Sequence, residues 1–107
     1  MDNALMILVT TPDEPTARTL ARELVEQRLA ACAQIDGPIR SVYRWEGQLQ
    51  DDSEMRVIFK TTVERWEAAS EAIRRLHPYE CPQIVATPLP WIEGTYGAWL
   101  STQVEKQ

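Results

Sequence analysis

Near the start of the chain, Ala4 to Thr10 (ALMILVT) form an almost unbroken apolar run closed by Thr11-Pro12. The run is too short for a buried helix and barely alternates, so it predicts a strand covered on both faces. Such a strand cannot stand alone. It needs neighbours within a sheet and packed layers above and below. A chain of 107 residues has room for one such core but not two, so residues 1–107 are expected to form a single domain. The run follows Met1-Asp2-Asn3 without a basic segment, and reads as a first strand rather than a secretory leader.

The elements that could surround this strand follow in order. Asp13 can cap a helix whose first turn holds Pro15, and Ala17, Leu20, Ala21, Leu24, Val25 and Leu29 recur at helical spacing, predicting a helix over 14–29. Ala31 to Asp36 reads as a strand that stalls at Gly37-Pro38, where an edge, a bend or a bulge is expected. From Ile39 to Glu46 the chain alternates, with Ile39, Ser41, Tyr43 and Trp45 on one face. Gly47 to Ser53 is polar and turn-like, and Met55 to Thr61 alternates again, so the two arms form a long hairpin. Thr61-Thr62-Val63-Glu64 fits a capping box opening a second helix along Trp66, Ala69, Ile73 and Leu76. That helix stops at His77-Pro78, because a residue before proline is pushed out of the helical region. Gln83 to Leu89 reads as a last strand and Tyr96 to Val104 as a short terminal helix.

The order β-α-β-β-α-β plus a tail predicts an α+β, ferredoxin-like sandwich with both helices on one face of an antiparallel sheet. Two helices cover one face, yet the strands are apolar on both. Tyr43, Trp45, Met55, Phe59, Trp91 and Trp99 exceed what one small core absorbs, so self-association is expected.

Net charge is −5 and the sequence pI is near 4.8, which disfavours nucleic acid and anionic membranes as partners. No apolar run approaches membrane-spanning length. The two cysteines, Cys32 and Cys81, form no dense framework and no Cys-x-x-Cys. As reduced thiols they fit a cytoplasmic protein, with a single bridge left open.

Phosphate-cradling loops, dinucleotide fingerprints, Gly-x-Ser-x-Gly and His-Glu-x-x-His are absent. The single histidine, His77, therefore stands out, in the turn His-Pro-Tyr-Glu-Cys-Pro. His77 and Cys81 are spaced closely enough to share an ion, and imidazole with thiolate favours Cu or Zn over Mg or Ca. The competing reading makes His77 a helix C-terminal residue that serves the backbone. Cys32 reads as a small buried side chain, and a Cys32–His77 nucleophile lacks a third, orienting group, so no enzymatic activity is expected. Glu46, Asp51, Asp52 and Glu54 read as a solvated hairpin end.

Several spaced blocks closely resemble the CutA divalent-cation-tolerance family: Arg28-Leu29-Ala30-Ala31-Cys32, Ser41-x-Tyr43-x-Trp45-x-Gly47, Glu54, Lys60-Thr61 and His77-Pro78-Tyr79-Glu80-x-Pro82. Thr11-Pro12-Asp13-Glu14 and Tyr96-x-x-Trp99 extend the match, which runs in order over roughly residues 5–101. The resemblance implies a homotrimer like that of the PII signalling proteins, joined through hairpins and sheet edges. It implies a role in the response to divalent metal ions and weak binding of Cu²⁺ or a similar cation, which folding does not require. Val9 and Leu76 occupy two positions where some members hold copper, leaving His77 from that set with Cys81 as a partial substitute. The alternative is a trimeric sensor with a ligand cleft between subunits, lined by Tyr43, Trp45, Lys60, His77, Tyr79 and Glu80.

Overall fold

The computed structural model describes residues 3–105. Strand β1 (Ala4–Thr11) lies inside a four-stranded sheet of order β2-β3-β1-β4, with β2 spanning Cys32–Trp45, β3 Gln48–Thr62 and β4 Ile84–Pro88. Each neighbouring pair is antiparallel. Helices α1 (Glu14–Glu26) and α2 (Trp66–Leu76) pack on one face, and α3 (Gly94–Gln103) is the last element among the described residues. This is the predicted ferredoxin-like arrangement.

Register explains the core. Ile7 pairs with Phe59 and Val9 with Val57, so the odd positions of both strands share one face, and these four side chains are fully buried in one cluster with Leu20, Leu24 and Ile73 of the helices. The other face carries the row Gln34, Ile58, Leu8 and Val85, which neither α1 nor α2 covers. Of the residues expected to exceed the core, Tyr43, Trp45, Trp91 and Trp99 are exposed, whereas Phe59 is fully buried in the core and Met55 packs against it.

Helix α1 begins as predicted, with Asp13 accepting a hydrogen bond from the Thr16 N–H (2.9 Å) and Pro15 in the first turn. It ends earlier than the expected 29. Arg28 adopts φ 59° and the Leu29 N–H reaches back to the Leu24 carbonyl (2.9 Å), a Schellman closure that seats Leu29 in the core outside the helix.

The capping box at Thr61–Glu64 does not form. A 3₁₀ turn, Val63–Arg65, precedes α2 with no side-chain cap on Thr62. The Thr61 hydroxyl donates to the Leu29 carbonyl (2.7 Å), and Glu64 accepts from the Asn3 amide (2.6 Å). Both groups are drawn to tertiary partners, one of them across the exit of α1.

The hairpin also differs from expectation. Its turn is only Glu46-Gly47, both at positive φ (51° and 78°), and Gln48 to Ser53 belong to β3 rather than to a loop. Beyond Met55 the arm has no β1 partner, so it lacks the apolar face that makes a strand legible.

The stall at Gly37-Pro38 is a bulge, with the register slipping between Asp36 and Ile39 inside one continuous strand. Its consequence is a change of parity. Ile35 pairs with Val57 on the helix-facing side, whereas Ile39 pairs with Glu54, an even position on the opposite side. Ser41, Tyr43 and Trp45 follow Ile39 to that second side.

Candidate functional site

Helix α2 ends at His77, whose backbone is extended (φ −83°, ψ 136°) ahead of Pro78. The imidazole is buried, 7% exposed, and both ring nitrogens are engaged. Nδ1 accepts the Tyr79 N–H (3.1 Å), so the proton lies on Nε2, which donates to the Thr10 carbonyl (2.7 Å). His77 thereby ties the turn after α2 to the end of β1. This matches the backbone-serving reading in kind, although the carbonyl belongs to a strand and not to the helix.

Tyr79 packs against His77 with ring centroids 4.8 Å apart, and its hydroxyl donates to Glu54 Oε2 (3.0 Å). Burial, then the Glu54 hydrogen bond, raise the Tyr79 phenol well above its ordinary value. Glu54 is 5% exposed and so is no part of a solvated tip. The short turn puts it well down β3, opposite the bulge, where only the tertiary fold gives it a phenol. The other hairpin acids remain outside, Asp51 paired to Arg40 (2.9 Å) and Asp52 accepting from the Tyr43 hydroxyl (2.6 Å). That bond is the main cause of the raised Tyr43 phenol.

Together these residues border a cleft of about 490 Å³. Tyr43 and Trp45 supply one wall from β2, Tyr79, Glu80 and Cys81 another from the turn after α2, and Glu54 lies on β3. Four of the six expected cleft residues, Tyr43, Trp45, Tyr79 and Glu80, thus line it directly. His77 lies behind Tyr79 rather than in the lining. Lys60 is not in this chain's cleft. It bonds to Gln34 and pairs in register with Cys32 and Met6, six positions or roughly 20 Å along β3 from Glu54. Glu54, Ser41 and Gln83 join the lining without having been expected there.

Both cysteines are free. Cys32 lies within 3.3 Å of the Tyr96 hydroxyl, beside α3, while Cys81 is exposed in the cleft wall. Among the described residues no group of three or more His, Cys, Asp and Glu side chains is placed to hold a metal. A metal at His77 would have to displace the Tyr79 or the Thr10 bond. The donor set of the described residues therefore does not make a closed metal centre within one chain. No helix among the described residues is long and apolar enough to cross a membrane.

Comparison with known proteins bears on the same features. The family model for the CutA1 divalent ion tolerance protein matches residues 5–103. The divalent-cation tolerance protein CutA of Thermus thermophilus is 42% identical over 95 residues, covering 89% of this chain and 92% of its own. The solved Thermus thermophilus Cut A1 structure aligns with a TM-score of 0.92 at 39% identity, covering 95% of this chain and 99% of that one. CutA from Xylella fastidiosa aligns with a TM-score of 0.94 at 32% identity, covering 96% of this chain and 99% of that one. With the match running from β1 to the end of α3, the chain belongs to the CutA1 divalent ion tolerance family.

Proposed function

We propose that this protein acts as a homotrimer in the response to divalent metal ions, taking a cation such as Cu²⁺ weakly at the mouth of the cleft. The observation that carries this reading is the exposed Cys81 thiol in a cleft wall that also holds Glu80 and Glu54. Thiolate selects soft or borderline ions, and the nearby carboxylates add favourable charge. His77 positions Tyr79 from behind and ligates only where an ion displaces one of its two hydrogen bonds. The reading includes no enzymatic step. Two free thiols favour a reducing compartment, the cytoplasm.

Trimerisation is supported by what one chain leaves uncovered. Strands β2 and β4 are sheet edges with one side unpaired, and the row through Ile58, Leu8 and Val85 lacks a helical layer. Edge-to-edge association in a closed ring would satisfy both. Sedimentation at micromolar concentration tests it, a monomeric mass being the contrary result.

For the metal, titration calorimetry with Cu²⁺ should give weak saturable heat with reduced protein and little with Cys81→Ser. Heat that survives Cys81→Ser but disappears with His77→Ala would move the site to His77. Absence of heat in the wild type would remove it.

A second reading, a PII-like sensor, is favoured by the volume of the cleft and its aromatic walls. About 490 Å³ lies within the range of small-molecule pockets. In this reading a ligand held beside Tyr43, Trp45, Tyr79 and Glu80, over His77, alters how subunits meet. Thermal shift against a small-molecule panel tests it, since a ligand of the native state raises the melting temperature.

A further inference from the structure

We propose that the cleft recognises a small organic cation carrying a quaternary or protonated amine. The proposal rests on the ligand-cleft reading and names its ligand class. Three aromatic side chains, Tyr43, Trp45 and Tyr79, line the cleft with two carboxylates, Glu54 and Glu80, and no lysine or arginine is among them. Aromatic π-systems attract cations through their quadrupole, and a quaternary ammonium, which donates no hydrogen bonds, is the ligand such walls suit best.

The hydroxyls sharpen the choice. Tyr43 donates its proton to Asp52 (2.6 Å) and Tyr79 donates its own to Glu54 (3.0 Å). Neither phenol has a proton left for an anionic ligand. Glu54, 95% buried by its 5% exposure, adds negative charge at the inner wall. In the part of the cleft that this chain supplies, a phosphate or carboxylate ligand would meet these acids without a cationic side chain to offset them. A hard metal ion would need six or more oxygen ligands, and no cluster of even three acidic, His or Cys groups is placed for one among the described residues. An ammonium head requires only aromatic faces and diffuse negative charge. In the single chain Tyr43 and Trp45 are 40% and 41% exposed, so their rings are not consumed by this chain's own core.

The test uses the full chain in its native assembly, titrated with choline, with its neutral isostere 3,3-dimethylbutan-1-ol, and with ATP as an anionic probe. Calorimetry and tryptophan fluorescence provide the readouts. Choline should bind saturably, the isostere at least about tenfold more weakly, and Glu54→Gln and Trp45→Leu should each weaken choline by about tenfold. Glu54→Gln is nearly isosteric, so it decides the matter if Trp45→Leu disturbs assembly. Equal or tighter binding of the isostere or ATP, sensitive to Trp45→Leu, would overturn the cation assignment and leave the ligand cleft standing. Absence of saturable binding by all three probes would overturn both.

Discussion

Tyr79 and Glu54, on the turn after α2 and on β3, are joined by a phenol-to-carboxylate hydrogen bond of 3.0 Å across 25 positions of sequence. The bond satisfies a nearly buried carboxylate and fixes one wall of the cleft. Tyr79→Phe should therefore destabilise the protein by about 1–3 kcal/mol, because it strands a charged acceptor as well as removing a donor. Chemical denaturation checks this. In a double-mutant cycle with Glu54→Gln the two losses should not add, and full additivity would deny the coupling.

The tyrosines should ionise late. Burial and then Glu54 raise Tyr79 well above the ordinary 10.0, and the Cys32 contact, followed by burial, pushes Tyr96 up to about 12. A raised folded value means that the neutral phenol is the stabilised form. The associated stability is fully present below pH 10.0 and is lost as pH rises through the folded values. Absorbance at about 295 nm should show less tyrosinate in the native than in the unfolded protein at about pH 11. Cys32→Ala should lower the Tyr96 midpoint; an unchanged titration would count against the contact.

Acid should weaken the sheet beside the bulge. Arg56 holds Asp36 through two hydrogen bonds (2.9 and 2.7 Å), joining β2 to β3 and keeping the Asp36 carboxyl below its ordinary 3.8. Because the folded value is depressed, the contribution is present above pH 3.8 and fades as pH falls through the lower folded value. Asp36→Asn should melt below wild type at neutral pH, with the gap closing in acid. A gap that stays constant to about pH 2 would show that the charge is not responsible.

Two glycines should differ in tolerance. Gly37 has φ +132°, and an added Cβ would meet Met55 Sδ at 3.1 Å and the Glu54 carbonyl at 3.2 Å. Gly47 has φ +78° with open space around it. Gly37→Ala should cost about 2–3 kcal/mol through strain and crowding, and Gly47→Ala about 1 kcal/mol through backbone strain alone. Thermal denaturation ranks them. Gly37→Ala should also disturb the cleft, since the bulge sets which face Tyr43 and Trp45 occupy.

His77 and Cys81 should separate in a stability assay. His77→Ala removes the partner of the Thr10 carbonyl and of the Tyr79 N–H, for a loss of about 2–3 kcal/mol. Cys81 is exposed, so Cys81→Ser should change stability by less than about 0.5 kcal/mol. Equal losses would contradict the structural role assigned to His77.

Much of this could be read from the order of residues. The β1 run, the Asp13 cap, the halt of α2 before Pro78 and the turn that follows it all follow from sterics, capping or periodicity within a few positions. Spaced blocks over most of the chain pointed to the family, and Tyr43, Trp45, Tyr79 and Glu80, expected beside one another, border one cleft of the chain. Long-range geometry was not legible. Thr61 and Glu64 looked like a cap but were claimed by Leu29 and Asn3, and Glu54 looked solvated until Tyr79 reached it. Lys60, expected in a cleft between subunits, lies along β3 from the residues that line the cleft of one chain. His77 was conspicuous as the only imidazole, yet its partner Thr10 lies 67 positions away. Local forces shape each element from its own residues, whereas the burial and bonding of a polar side chain depend on what the packed sheet brings beside it.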